Sequence, residues 1–166
     1  MRHFRPLLLC LILLSLPAHA DPMPIITGRV ISVADGNTII VLTSDNQQVR
    51  VRLYGIYCPE RDQPFGNRAR QATAEAVQGE TVDVLPIEID SYGSTVGLVT
   101  VGGANGISVN AMLLHKGLAW VYPQYCRWGN VCMSFQKKEI GARENRVGLW
   151  SDENPNPPWE WRKQKR

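Results

Sequence analysis

The sequence predicts an α+β domain that is mainly β, built on a five-stranded Greek-key barrel of the OB type. Three β-branched runs follow one another between residues 28 and 56, and turn-forming residues separate them at 34–36 and 44–46. A stripe of small apolar residues at helical spacing comes next, followed by two more strand-like runs and two helical segments. Short strands in meander order, with a helix inserted after the third, are typical of this barrel.

Each element has a local signal. The third strand alternates most clearly, with Val51 and Leu53 predicted to face the core and Arg52 and Tyr54 to face solvent. Proline and glycine predict a loop at 86–93. The remaining predictions are strands at 28–33, 37–43, 47–56, 81–85 and 95–101, and helices at 64–78, from Ser108 or Asn110 to Lys116, and at about 131–146.

The N-terminal 20 residues are typical of a cleaved secretory signal. Arg2 and Arg5 precede the apolar run 7–16, and small residues lie just before Asp21. We therefore expect an exported protein, periplasmic or secreted after cleavage at about Ala20. The barrel domain is expected at 21–150 and a tail rich in proline, tryptophan and basic residues at 151–166. We expect no membrane span and a monomer.

The charge does not indicate a strongly basic nucleic-acid-binding protein. Cleavage would remove Arg2 and Arg5 from the 18 basic residues, leaving 16 against 15 acidic residues. Four of the remaining basic residues lie at the C-terminal end, namely Arg162, Lys163, Lys165 and Arg166. Without them, the barrel itself carries a slight excess of acidic residues. Composition alone therefore does not establish affinity for nucleic acid.

Three cysteines follow the signal. Cys126 and Cys132 enclose a short loop, and the spacing in an exported protein predicts a disulfide that stabilises the fold by about 2 kcal/mol. Cys58 then has no partner, and three roles are open for it: a buried apolar side chain, a thiol for intermolecular pairing, or a nucleophile. A nucleophile is disfavoured because His115, the one histidine after the signal, lies near the end of a predicted helix.

Polar side chains are predicted to converge where the third strand ends. Pro59 cannot donate to a central ladder, so Glu60 lies on a loop beside the turn that contains Asp35 and Asn37. Asp35 before a glycine is also what a tight turn prefers. Arg52 and Glu60 leave two interpretations open, a structural ion pair or contact with a ligand.

Several ordered motifs indicate a family. They are Val33-Ala34-Asp35-Gly36-Asn37-Thr38, the run 51–60 (VRLYGIYCPE), Asp90-Ser91-Tyr92-Gly93-Ser94, the run 117–122 (GLAWVY) and Gly148-Leu149-Trp150. From about residue 26 to 150 the chain resembles the staphylococcal nuclease, or thermonuclease, family, and it is similar to exported bacterial members that end in a Pro-Pro-Trp-Glu-Trp-Arg segment. The resemblance implies an OB-type barrel and a calcium-dependent phosphodiesterase that acts on DNA and RNA.

The resemblance assigns roles to four residues that this chain retains. Arg52 matches the first of two phosphate-binding arginines, and Glu60 matches the general base. Asp35 matches an acidic neighbour of the metal, and Tyr92 matches a tyrosine that lines the nucleotide pocket.

Three other positions depart from the family pattern. Asn37 and Tyr57 replace the two metal-binding aspartates, and Ser94 replaces the second arginine. Calcium affinity follows the number of charged oxygen ligands, so a weak or absent site is expected around Asp35 and Asn37. Tyr57 is open to two interpretations, a platform on which a base stacks or a bulky side chain that fills the lost metal site.

Three functions follow as hypotheses. The first is a catalytically degenerate nuclease-fold protein that binds nucleic acid, such as single-stranded DNA or RNA, or another anionic polymer, with no cofactor. The second is an active phosphodiesterase whose calcium site is rebuilt from Asp35, Asn37 and Glu60. The third is an OB module that binds a protein or a saccharide.

Overall fold

A computed structural model describes residues 22–103 and 105–165. The predicted secretory signal, residues 1–20, lies outside the described residues. Within these residues eight strands run in chain order: β1 (Ile26–Asp35), β2 (Thr38–Thr43), β3 (Gln48–Leu53), β4 (Ile56–Tyr57), β5 (Thr81–Ile89), β6 (Thr95–Val101), β7 (Ile107–Ser108) and β8 (Trp120–Val121). The helices are α1 (Gly66–Val77), α2 (Val109–His115), α3 (Gly129–Glu144) and α4 (Pro158–Gln164), with a 3-10 turn at Gly148–Ser151.

Five of the strands close into a barrel, which confirms the predicted OB-type fold. β1 pairs with both β2 and β5, β2 pairs with β3, and β5 pairs with β6, all antiparallel. β3 then runs parallel to β6 and closes the ring. The inward positions of the strands are fully buried, as the alternating pattern requires, in a core that includes Val30, Val41, Val51, Val84 and Val99.

Two strands differ from the prediction by more than two residues at one end. The predicted loop at 86–93 is wrong over its first part, because β5 continues to Ile89. A register shift lies between Pro86 and Glu88, and such an irregularity lets the strand accommodate a residue without an N–H. The predicted third strand breaks after Leu53, where Gly55 turns with a φ of 70°, and the following residues form β4 against β8.

Tyr54 is not solvent-facing as predicted. Only 3% of it is exposed, because the segment that leads into α3 covers this side of the barrel. Its hydroxyl accepts the backbone N–H groups of Arg127 at 2.7 Å and Trp128 at 2.9 Å. In the same segment Cys126 is bonded to Cys132, whereas Cys58 is a buried free thiol.

The tail forms a helix that the sequence did not predict. Two prolines precede the tryptophans and argue locally for an extended segment, yet Pro158 occupies the first turn of α4. Proline is favoured there because its fixed φ suits a helix and its missing N–H has no intrahelical partner. None of the helices within 22–103 and 105–165 is long and apolar enough to cross a bilayer.

Candidate functional site

A pocket of about 300 Å³ opens at one end of the barrel, where the β1–β2 turn, β3, the loop after β4 and the loop after β5 meet. All seven residues singled out in the sequence line it: Asp35, Asn37, Arg52, Tyr57, Glu60, Tyr92 and Ser94. The structure thus brings together the retained and the replaced positions. Their roles in binding or catalysis stay predictions.

The β1–β2 turn holds Asp35 by its own backbone. A carboxylate oxygen of Asp35 accepts the N–H of Asn37 at 2.9 Å, which is the turn-stabilising contact that this residue type favours. The hydroxyl of Thr73 in α1 donates to the carbonyl of Gly36 at 2.7 Å and fixes the turn against the helix. Asn37 itself is buried, with 6% of its surface exposed.

The loop that carries Glu60 is anchored at both ends. The backbone N–H of Glu60 donates to Oε1 of Gln63 at 3.0 Å, and the N–H of Gln63 returns to the carbonyl of Glu60 at 2.9 Å. Arg61 donates to the carbonyl of Ala34 at 2.9 Å and so joins this loop to the β1–β2 turn. A Cβ on Gly66 would lie 1.9 Å from the carbonyl oxygen of Glu60, so only glycine permits this approach.

Arg52 reaches the pocket from β3 and is paired with Asp90. Nη2 of Arg52 lies 2.8 Å from Oδ2 of Asp90. The other carboxylate oxygen of Asp90 accepts the N–H groups of Tyr92 and Ser94, each at 2.9 Å. Burial would raise the pKa of Asp90, but these backbone donors and the charge of Arg52 hold it below its ordinary value.

Glu60 is paired with an arginine from the tail. Nη1 of Arg162 in α4 lies 3.4 Å from Oε1 of Glu60. The same guanidinium lies over the ring of Tyr57, 4.6 Å from its centroid, and donates to the Tyr57 hydroxyl. The ion pair between Arg52 and Glu60 that the sequence left open is therefore wrong, because each residue has a different partner.

Two titratable groups in the pocket are shifted toward their neutral forms. Burial raises the pKa of Tyr57 above its ordinary value, although the charge and hydrogen bond of Arg162 act in the opposite direction. Burial also raises the pKa of the Cys58 thiol well above its ordinary value, and the negative charge of Asp35 adds to this. Cys58 is thus a buried neutral thiol and poorly suited to nucleophilic attack.

An aromatic groove of about 480 Å³ adjoins the pocket and shares Arg52, Tyr57 and Tyr92 with it. Tyr122, Tyr125 and Arg162 line the groove as well. The rings of Tyr57 and Tyr122 meet edge to face at 5.7 Å, whereas Tyr92 is 86% exposed at the rim. Exposed aromatic faces beside guanidinium groups are suited to contact bases and phosphates together.

Sequence reasoning missed Asp90, Arg162 and Tyr122 as site residues. Asp90 opens the Asp90–Ser94 motif, and an aspartate before a short glycine-containing turn is a recognised signal for side-chain capping of backbone N–H groups. Tyr122 ends another of the motifs. No local signal places Arg162 at the pocket, since its contact with Tyr57 joins residues 105 positions apart.

A closed five-stranded barrel with a polar pocket at one end defines the class of small OB-type barrel domains. The family model described as "Staphylococcal nuclease homologue" matches residues 50–152, and the chain belongs to this family. It is 40% identical over 158 residues to a protein named micrococcal nuclease from Shigella flexneri, an alignment that covers 92% of this chain and 87% of that protein.

Other relatives are similar over comparable lengths. Protein ParB from Escherichia coli is 40% identical over 162 residues, covering 94% of this chain and 88% of that protein. Staphylococcal-like nuclease CAN1 from Arabidopsis thaliana is 38% identical over 137 residues, covering 81% of this chain and 40% of that protein.

Calcium, which the family implies, does not fit the donor set of this pocket. Asp35 supplies a carboxylate already engaged by the Asn37 N–H, and Glu60 faces the guanidinium of Arg162. Tyr57 offers a neutral phenol rather than a charged oxygen. In the part of the chain that the structure describes, no group of three or more His, Cys, Asp or Glu side chains is arranged to hold a metal ion. Hard cations bind according to the number of charged oxygens, and of the seven residues singled out in the sequence only Asp35 and Glu60 carry one.

Proposed function

We propose that this protein binds single-stranded nucleic acid in the pocket without the calcium-dependent cleavage of its family. The observation that carries the proposal is the pairing of Glu60 with Arg162, together with the absence of a carboxylate at residues 37 and 57. The residue that matches the general base is thus held by a cation, and the metal that would activate the phosphate has lost its charged ligands.

Binding is supported by the arrangement of charge and aromatic surface. Arg52 is held by Asp90, which fixes the direction of its guanidinium. About a third of the Arg52 side chain remains exposed and can donate hydrogen bonds to a phosphate. The adjoining groove offers Tyr92 and Tyr125, both exposed, as flat surfaces for bases. Stacking of a base on an aromatic side chain contributes about 1 to 3 kcal/mol and tolerates any sequence.

Cleavage is opposed by the missing electrophile. Attack on a phosphodiester places additional negative charge on the phosphate oxygens. In the family pattern a cation and a second arginine would stabilise this charge. Here Asn37 and Tyr57 replace the aspartates that would hold the cation, and Ser94 replaces the arginine. The loss of one such stabilising group costs about 3 kcal/mol, or roughly a hundredfold or more in rate. A general base alone does not compensate for these losses.

An active phosphodiesterase is the second candidate. It is favoured by relatives named micrococcal nuclease and uncharacterized endonuclease, and by the presence of Asp35 and Glu60 in one pocket with the amide of Asn37. In this alternative Asp35, the carbonyl of Asn37 and Glu60 would together hold the cation.

Oligonucleotide binding tests the proposal. Fluorescence anisotropy of a labelled single-stranded oligothymidylate, titrated with protein across a range of salt concentrations without divalent ions, should show saturable binding that weakens with salt. Arg52→Ala should lower the affinity by about tenfold, as expected for loss of a charge-assisted hydrogen bond. Lys137→Ala is the matched control, because it removes one positive charge from an exposed position in α3. Equal effects of the two variants, or no binding by the unmodified protein, would contradict the proposal.

We also propose that the protein is exported. The apolar run 7–16 and the Cys126–Cys132 disulfide support this, since disulfides persist in oxidising compartments. Expression of the full chain in a Gram-negative host should yield a periplasmic or extracellular product whose N-terminal sequence begins at Asp21. A cytoplasmic product that retains Met1 would contradict it.

A further inference from the structure

Arg162 lies in a part of the chain that the family assignment does not cover. The family match ends at residue 152, whereas α4 begins at Pro158. Nevertheless Arg162 contacts Glu60 and Tyr57, two of the residues that line the pocket. The tail therefore adds a charged side chain to the pocket from outside the matched residues 50–152.

The position of α4 is fixed by its own packing. Trp159 stacks on Tyr122 with ring centroids 4.8 Å apart and planes 17° apart. Nε2 of Gln63, a buried residue in the Glu60 loop, donates to the carbonyl of Asn156 at 2.5 Å. The indole N–H of Trp161 donates to Asp62 at 3.4 Å, and Lys165 pairs with the same carboxylate. These contacts hold Arg162 over the pocket independently of Glu60.

The guanidinium of Arg162 has N–H groups that its contacts with Glu60 and Tyr57 do not use. Its contact with Glu60 is 3.4 Å, longer than the roughly 2.7 to 2.9 Å of a close charge-assisted hydrogen bond. It retains 43% exposure of its side chain and lines the same groove as Arg52 and Tyr57. Arginine presents five N–H groups in a planar fork that matches the oxygens of a phosphate.

We propose that Arg162 is a phosphate-binding residue of this pocket, supplied by the C-terminal helix to act with Arg52 on the nucleic-acid backbone. This inference rests on the proposed function. It adds a further cation to the two arginines that line the pocket, Arg50 and Arg52. Ser94, by contrast, is uncharged, buried to 3% exposure and engaged through its N–H with Asp90. The tail is then part of the binding site as well as a segment packed on the barrel.

A simpler role for Arg162 is to neutralise Glu60, whose carboxylate would otherwise repel a phosphate. The two roles differ once Glu60 is uncharged. A phosphate-binding Arg162 is still needed in a Glu60→Gln background, whereas a neutralising Arg162 has nothing left to neutralise. A double-mutant comparison therefore separates them.

The test uses the anisotropy titration with labelled oligothymidylate on the full mature chain. Arg162→Ala and Arg162→Gln are both measured, so that a folding defect in one does not decide the result, and circular dichroism melts verify folding. Lys163→Ala is the matched control, since Lys163 lies on the same helix and pairs with Glu160 at 2.8 Å. Each Arg162 variant is also made in the Glu60→Gln background.

Loss of Arg162 should weaken binding about fivefold to tenfold and lower the slope of log affinity against log salt by about 0.7, the value for one phosphate contact on a single strand. Lys163→Ala should change the affinity by less than about twofold, and the Arg162 effect should persist when Glu60 is glutamine. If Arg52→Ala weakens binding and Arg162→Ala does not, or if the effect vanishes in Glu60→Gln, the inference is wrong while the proposed function stands. If the unmodified protein does not bind at all, the proposed function fails first and the inference with it.

Discussion

Nη2 of Arg52 lies 2.8 Å from Oδ2 of Asp90, and this pair joins β3 to the loop after β5. The other oxygen of Asp90 accepts two backbone N–H groups of that loop, so the position of the carboxylate is fixed independently of Arg52. Arg52 is therefore presented to the pocket by a partner that cannot easily move. The same pair links the stability of the loop to the protonation state of Asp90.

Asp90→Asn should remove a contribution to stability that depends on pH. The folded-state pKa of Asp90 lies below its ordinary value, so its contribution is present above the unfolded pKa of about 3.9 and is lost as pH falls through the folded pKa. Urea unfolding should show the variant less stable than the parent at neutral pH, with a gap that narrows near pH 3. Glu153→Gln, at an exposed position, is the control. A gap of the same size at both pH values would refute the assignment.

Trp159→Ala should destabilise the fold and also weaken oligonucleotide binding. The indole stacks on Tyr122 and meets Trp120 edge to face at 6.4 Å, so its loss removes the packing that holds α4 against the barrel. We expect a loss of roughly 2 kcal/mol in the free energy of unfolding, less than for a fully buried tryptophan. Binding should fall by a factor similar to that of Arg162→Ala, because Arg162 loses its fixed position. Trp128→Ala, at a tryptophan that is 47% exposed, should do neither.

Calcium at millimolar concentration should leave the melting temperature unchanged. A ligand stabilises the folded state only to the extent that it binds there, and Asn37 and Tyr57 offer no negative charge to a hard cation. Differential scanning fluorimetry with calcium, magnesium and chelator measures this directly. An upward shift of several degrees with calcium and none with magnesium would mean that the metal site is intact.

The barrel and the convergence of the motifs were predictable because both depend on local pattern. Alternation in β3 and the turn residues before β2 fix which side chains point inward, and the motifs then meet at one end of the barrel. The burial of Tyr54 was not predictable from the alternation of β3, because its exposure is decided by Arg127 and Trp128, far along the chain.

The contribution of the tail was not predictable from local pattern. Pro158 and the tryptophans around it fit an extended strap as well as a helix, and the choice depends on the ring of Tyr122, which lies on another element. The pairing of Arg162 with Glu60 likewise requires the docked helix. Pro86 also predicts the end of a strand from local pattern, whereas the register shift beside it lets β5 continue.

The triple change Asn37→Asp, Tyr57→Asp and Ser94→Arg should create calcium-dependent cleavage of single-stranded DNA. The first two changes restore charged oxygens at the metal positions, and the third adds an arginine in a pocket that already holds Arg52 and Glu60. Replacement of Tyr57 also removes the ring under Arg162, with a stability loss on the order of 1 to 3 kcal/mol.

Each single restoration should do much less than the three together, because the metal and the arginine act on the same developing charge. The triple variant with Glu60→Gln added is the control and should not cut. A folded triple variant that binds calcium and still leaves DNA intact would show that the pocket has diverged beyond these three positions.

We expect the unmodified protein to bind single-stranded nucleic acid without calcium-dependent cleavage. The most direct test incubates end-labelled single-stranded DNA with excess disulfide-intact mature protein, in calcium and in chelator, and follows both complex formation and the length of the strand. A retained complex with uncut DNA is expected under both conditions. Cleavage in calcium that stops with chelator would contradict it.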